Sequence, residues 1–220
     1  VPYRSLTPGV MHACGHDGHT AIVLGVARML FEKRHEFSGK VRLIFQPAEE
    51  QYPGGACQVI EHGGLEGVDA IIGLHIFGDV DVGNVRFCPG PFMASSNDFS
   101  VRIIGKGGHV STPGYCVNPI EMAADVISRA RLESARKVDP SRHVFGFGAV
   151  TGGTRSNIIP DEVQIFGSFR TFNEMDTVTI ENALENILGS IMNKYSDKDL
   201  AGVPSYELDV LHGYPVLVNN

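Results

Sequence analysis

Positive charge is in short supply in this 220-residue chain: 18 lysines and arginines face 25 aspartates and glutamates, a formal charge of −7. The cations are scattered rather than clustered, so a nucleic-acid-binding face is not supported. No apolar run approaches the roughly 20 residues of a membrane-spanning helix, so no spanning segment is expected. Cysteine is scarce too. Cys14, Cys57, Cys88 and Cys116 are irregularly spaced, unlike the framework of a disulfide-stapled secreted domain, and a reducing, cytoplasmic compartment is the default. Also missing are a GxSxG nucleophile elbow, a phosphate-cradling GxxxxGK(S/T), paired CxxC, internal repeats and low-complexity tracts. What remains is 43% hydrophobic and 20% charged. That suffices for one large or two small packed domains and points to a small-molecule or peptide substrate. The chain opens on Val1 within the loop-like VPYRSLTPG and stops at Asn220 just after an apolar run, so a piece of a longer protein is expected.

The first 90 residues or so have an α/β rhythm. Asp17 or Thr20 can cap a helix whose apolar positions Ile22, Val23, Val26, Leu30 and Phe31 recur at helical spacing. The runs 41–45 (VRLIF) and 70–74 (AIIGL) suit strands of a parallel sheet, with a short helix around Ala56 to His62 between them. From about Ser96 the order becomes strand 99–104, helix 119–135, strand 144–150, strand 163–172, helix 175–195, strand 206–211. That βαββαβ order is ferredoxin-like, a four-stranded antiparallel sheet with two helices on one face. The turn-rich FCPGPFMASSN places a domain boundary near Pro91 to Asn97.

GVMHACGHDGH puts three of the nine histidines and one cysteine between His12 and His19. In an extended His12–His16 stretch, His12, Cys14 and His16 share one side, and Cys14 with His16 can grip a cation. The plainer alternative is a buried thiol beside surface histidines. Gln46-Pro47-Ala48-Glu49-Glu50 sets two carboxylates after the 41–45 run, and His75 follows the 70–74 run. Alone, each reads as a solvated helix start or a structural histidine. Together they fall at C-terminal strand ends, the edge where open α/β sheets bind ligands, so Cys14, His16, Glu50 and His75 can converge. A thiolate, imidazoles and a carboxylate suit zinc or a similar transition metal better than magnesium or calcium. Glu49 can then take a proton from a metal-bound water and pass it to a leaving nitrogen, while Asp17 orients His16. Amide hydrolysis is the expected chemistry. In the second half, His109 of GKGGH can stabilise an oxyanion, and Asn157 and Arg170 can bind a substrate carboxylate; each also reads as an ordinary turn or strand residue.

The segments MHACGHDGHTA, FQPAEEQYPGGA, GLH, GKGGHVSTP and GTRSNIIPDEVQIFGSFRTF, in this order, closely resemble the metal-dependent amidohydrolases of the aminoacylase and carboxypeptidase class. That class includes hippurate hydrolases, N-acyl-L-amino acid amidohydrolases and plant auxin-conjugate hydrolases. The resemblance implies a zinc-peptidase-like catalytic domain over 1–96, a lid and dimerisation domain over 97–213, and a return to the catalytic domain at 214–220. It implies two divalent metal ions, zinc, manganese or similar, on Cys14, His16, Glu50 and His75, with Glu49 as base. His109, Asn157 and Arg170 become substrate-contacting lid residues, His109 reaching into a partner's site in a homodimer. A further metal-binding histidine is expected beyond the lid, and an N-terminal strand and helix ahead of this chain. Gly114 and Asn118 stand where relatives commonly carry His and Asp, a departure expected to alter lid contacts or substrate choice. The implied reaction cleaves an N-acyl amino acid. A dipeptidase or aminopeptidase with the same centre, or a non-catalytic dimerisation module, are the competing readings.

Overall fold

The computed structural model describes residues 2, 4–196 and 203–220, which divide into two compact units, Val1–Phe87 and Cys88–Asn220. The first unit contains α1 (His16–Glu32) and α2 (Ala56–Glu61). Neither Asp17 nor Thr20 caps α1. The N-cap is Gly15 at φ 80°, with no side-chain cap bond, and Asp17 lies in the first turn, where an acid complements the helix dipole. No strand forms in this unit among the described residues, so the runs 41–45 and 70–74, expected as strands of a parallel sheet, make no ladder here. Parallel strands need neighbours in the ladder and cover on both faces. Here Val41 is 56% and Ile72 96% exposed, and the side chain of Arg42 instead ties its run to the carbonyls of Gly63 and Gly64 at 3.0 and 2.6 Å. The apolar face of α1 is likewise open at Ile22, Val26 and Phe31.

The second unit holds β1 (Gly90–Met93), β2 (Asn97–Ile104), β3 (Gly108–His109), α3 (Pro119–Lys137), β4 (His143–Thr151), β5 (Ile158–Ile159), β6 (Glu162–Thr171), α4 (Glu174–Tyr195), β7 (Ser205–His212) and β8 (Leu217–Asn219). Four of these strands form an antiparallel sheet in the order β4-β6-β2-β7. Alternation explains which face is covered. Along β2, Asn97, Phe99, Val101 and Ile103 are buried, while their neighbours are half-buried or exposed. The buried side packs against α3 and α4 through Met122, Val126, Ile180, Leu184, Leu188 and Ile191. Both helices start on asparagine caps: Asn118 Oδ1 accepts from Ile120 N at 3.1 Å ahead of Pro119, and Asn173 Oδ1 accepts from Asp176 N at 2.8 Å. Asn118 therefore has a structural task whatever relatives carry there.

Two short ladders lie outside the main sheet. β3 pairs with β5, and β1 pairs antiparallel with β8. Beside the latter, Ser96 exchanges hydrogen bonds with Gly213 (2.8 Å) and Tyr214 (2.9 Å), so the segments entering and leaving the ferredoxin-like body run side by side. Among the described residues, no helix is long and apolar enough to cross a membrane.

Candidate metal centre

Gly15 shapes the centre first. Its left-handed φ of 80° would strain any residue with a Cβ, and it swings the chain from the loop carrying Cys14 into α1, whose first residue is His16. The second contribution is the loop after the 41–45 run. Pro47 O accepts from Gly55 N at 2.9 Å and Ala48 O from Gln51 N at 3.2 Å, closing a tight loop that presents Glu49 and Glu50. Ala48 itself sits at φ 52°, a left-handed conformation that costs a non-glycine residue of order 1–3 kcal/mol and is concentrated at functional sites. The third contribution is His75, after the 70–74 run.

These three segments meet. Ligand atoms of Cys14, His16 and His75 all lie within 4.8 Å of one another, and so do those of His16, Glu49 and Glu50. His16 Nε2 is 3.6 Å from Glu49 Oε2 and 3.5 Å from Glu50 Oε1, and Cys14 Sγ is 3.2 Å from His75 Nε2. His75 Nδ1 lies 2.7 Å from the carbonyl of Ile76. A carbonyl can only accept, so Nδ1 carries the proton and the Nε2 lone pair faces the thiol. This is the arrangement that orients a metal-binding imidazole.

Charge crowding shows what the cluster lacks by itself. A hydrogen bond to Glu50 above all, then burial, then the charges of Glu50 and Glu49, push the Cys14 thiol above its ordinary value. One sulfur, two imidazoles and two carboxylates thus form a donor set that a cation would neutralise, with the thiol as the ligand whose ionisation depends on it most. The residues present fit a borderline-soft divalent metal.

Two residues of the HACGHDGH run stand outside the donor groups. His12 is exposed and outside both donor groups. Asp17 is exposed in the first turn of α1, next to His16 in the chain. Adjacent helical residues point about 100° apart and do not face each other. His19, which donor counting passed over, lies one turn from His16 with ring centroids 5.4 Å apart, and 4.5 Å from the ring of His75. Burial, then the charges of His75 and His16, push its imidazole below the ordinary value. Its i,i+3 spacing from His16 was the available signal.

In the second unit, β3 pairs His109 with Ile158 of β5, and Val110 N donates to Asn157 O at 3.1 Å, so His109 and Asn157 sit at one end of the same two-stranded ladder. His109 Nδ1 accepts from Ser111 N at 3.2 Å. A backbone N–H only donates, so the proton of the neutral ring is on Nε2, an available donor. Arg170 is exposed on β6, eight residues from Glu162 and hence roughly 26 Å along the strand, and is not part of that ladder.

The profile of the peptidase family M20/M25/M40 matches residues 1–220. The chain is similar to an N-acyl-L-amino acid amidohydrolase of Geobacillus stearothermophilus, 38% identical over 99% of this chain and 57% of that protein. It is also similar to an N-acetyl-L-cysteine deacetylase of Bacillus subtilis, 45% identical over 79% of this chain and 42% of the relative. Among solved structures, the Bacillus subtilis YXEP protein, described as a dinuclear metal binding peptidase from the M20 family, superposes with a TM-score of 0.79 at 34% identity, covering all of this chain and 54% of that one. The chain spans about half the length of the curated relatives it matches.

Proposed function

The chain belongs to peptidase family M20/M25/M40, and from that premise we propose that the full-length protein hydrolyses the amide bond of an N-acyl amino acid, releasing a carboxylic acid and a free amino acid. The carrying observation is the meeting of a thiol, two imidazoles and two carboxylates from three distant segments within 4.8 Å groups. Cys14, His16, Glu50 and His75 would hold two divalent cations, zinc, manganese or similar. When bound, these would acidify an attacking water and polarise the scissile carbonyl.

The chain's own groups supply the rest. Glu49, beside Glu50 and with its Oε2 3.6 Å from His16 Nε2, serves as base: its carboxylate takes the proton of the attacking water and returns it to the leaving nitrogen. His109, through Nε2–H, stabilises the tetrahedral oxyanion, and Asn157 and Arg170 bind the substrate carboxylate. In the full-length protein, 1–96 and 214–220 form the metal-binding domain with its parallel sheet, and 97–213 the lid and homodimer interface. The β1 and β8 pairing, which sets the two connections side by side, supports that division, and β4 and β7 are the sheet edges open to a partner.

Two relatives named for acting on N-acylated amino acids support the substrate class. Glu49→Gln in the full-length protein is expected to keep its metal and lose about 10²–10⁴-fold in turnover; wild-type turnover would defeat the proposed base. An N-acetyl or N-benzoyl amino acid should be cleaved in preference to an unblocked dipeptide, and the opposite preference would move the reading to a dipeptidase.

A further inference from the structure

Both backbone polar groups of one residue, Ile76, are held by histidine rings. Ile76 N donates to His19 Nε2 at 2.9 Å, and Ile76 O accepts from His75 Nδ1 at 2.7 Å. The Ile76 side chain is keyed into the same place. A Cβ on Gly15 would stand 3.6 Å from Ile76 Cβ, and one on Gly18 only 2.5 Å from Ile76 Cδ1. Ile76 therefore lies against the first turn of α1, in space left by two glycines. The His19 and His75 rings meet edge to face across this peptide at 4.5 Å.

We propose that His19 is a positioning residue: by accepting the Ile76 N–H it fixes the backbone at Ile76, whose carbonyl, in the next peptide unit, in turn sets the tautomer and aim of His75 toward Cys14. His19 is thereby excluded as a ligand through Nε2, because that lone pair is already used by a backbone donor. α1 carries both halves of the arrangement. His16 at its start belongs to the donor cluster, and His19 one turn later grips the segment that brings His75. Without the Ile76 N–H anchor the backbone at Ile76 can turn, the carbonyl that holds His75 Nδ1 moves with it, and His75 Nε2 loses its fixed 3.2 Å relation to Cys14 Sγ. The proposal rests on the metal-centre reading given above.

The test is an equilibrium titration of the metal-free full-length protein with Co²⁺, followed by its visible absorption, for the wild type, His75→Ala, His19→Ala and His19→Gln. Glutamine places an acceptor near the position of Nε2 and should rescue. The expected result is about a 10–100-fold loss of affinity in H19A with an altered thiolate absorption, the range for removing an outer-shell partner, and recovery of most of it in H19Q. H19A titrating like wild type, or H19Q as weak as H19A, overturns the positioning role. If H75A also titrates like wild type, the metal-centre reading fails instead, so the two failures are told apart. Should H19A not fold, ¹⁵N shifts of the wild-type histidines decide: His19 protonated on Nδ1 supports the role, and protonation on Nε2 overturns it, since that nitrogen could not accept.

Discussion

Gly55 shows how narrowly the acid-bearing loop is specified. Its N–H closes the loop onto Pro47 O at 2.9 Å, and an added Cβ would stand 2.4 Å from that carbonyl and 2.5 Å from Pro47 Cδ. Backbone cannot retreat as a side-chain tip can. Gly55→Ala is therefore expected to cost about 1–3 kcal/mol of stability and to weaken metal binding by displacing Glu49 and Glu50, measured by urea unfolding and metal titration; unchanged values in both would refute the loop's role. Residue types were the legible part of this site. Cys14, His16, Glu49, Glu50 and His75 stood out because thiol, imidazole and carboxylate recur where chemistry needs donors. The assignment of lone pairs was not legible. His19 carries the same ring as His16, and only the approach of the Ile76 N–H, a matter of tertiary register, shows that its Nε2 is occupied.

Elements of the second unit were legible almost throughout, because each is specified locally. Alternating burial marks β2 and β6, asparagine caps begin α3 and α4, and proline follows the first cap. β6 lies between β4 and β2, and Phe169 on it is 1% exposed beneath Phe99 and Phe145. Phe169→Ala should cost about 3–5 kcal/mol in chemical denaturation, the range for emptying an aromatic site; a cost below about 1 kcal/mol would mean that this sheet is not the core. α3 and α4 are also tied by charge. Lys194 donates to Asp125, Tyr195 OH donates to Asp125 Oδ2 at 3.2 Å, and these bonds outweigh burial to hold the Asp125 carboxyl below its ordinary value. A carboxyl depressed in the folded state stabilises above its unfolded value and loses that contribution as pH falls through the folded one. Asp125→Asn should thus cost less than about 1 kcal/mol at neutral pH, the pair being partly exposed, and the gap to wild type should close below about pH 4. A gap that persists in acid would assign the effect to packing. The runs 41–45 and 70–74, expected as strands, make no ladder among the described residues, because parallel pairing depends on distant partners that composition cannot reveal.

Across the whole molecule, cover is unequal. Every buried hydrophobic residue among those described lies in Cys88–Asn220, while Val1–Phe87 leaves Ile72, Val82, Val85 and Phe87 at least 82% exposed. The unit that carries the donor cluster is thus the one whose own packing is thinner, and bound metal should contribute a larger share of its stability. Chelation of the full-length protein is expected to lower its Tm, with recovery dependent on added metal concentration; a Tm indifferent to chelator would separate the cluster from folding. The same imbalance explains why the ferredoxin-like order could be read from this sequence and the parallel sheet could not be found: one body is closed upon itself, and the other is not. Anomalous diffraction from metal-loaded crystals of the full-length protein, recorded at the absorption edge of the bound metal, probes the central claim most directly. Two peaks within bonding distance of Cys14, His16, Glu50 and His75, with the Glu49 carboxylate close by but not coordinating, is the predicted result; peaks elsewhere, or none at these side chains, would contradict it.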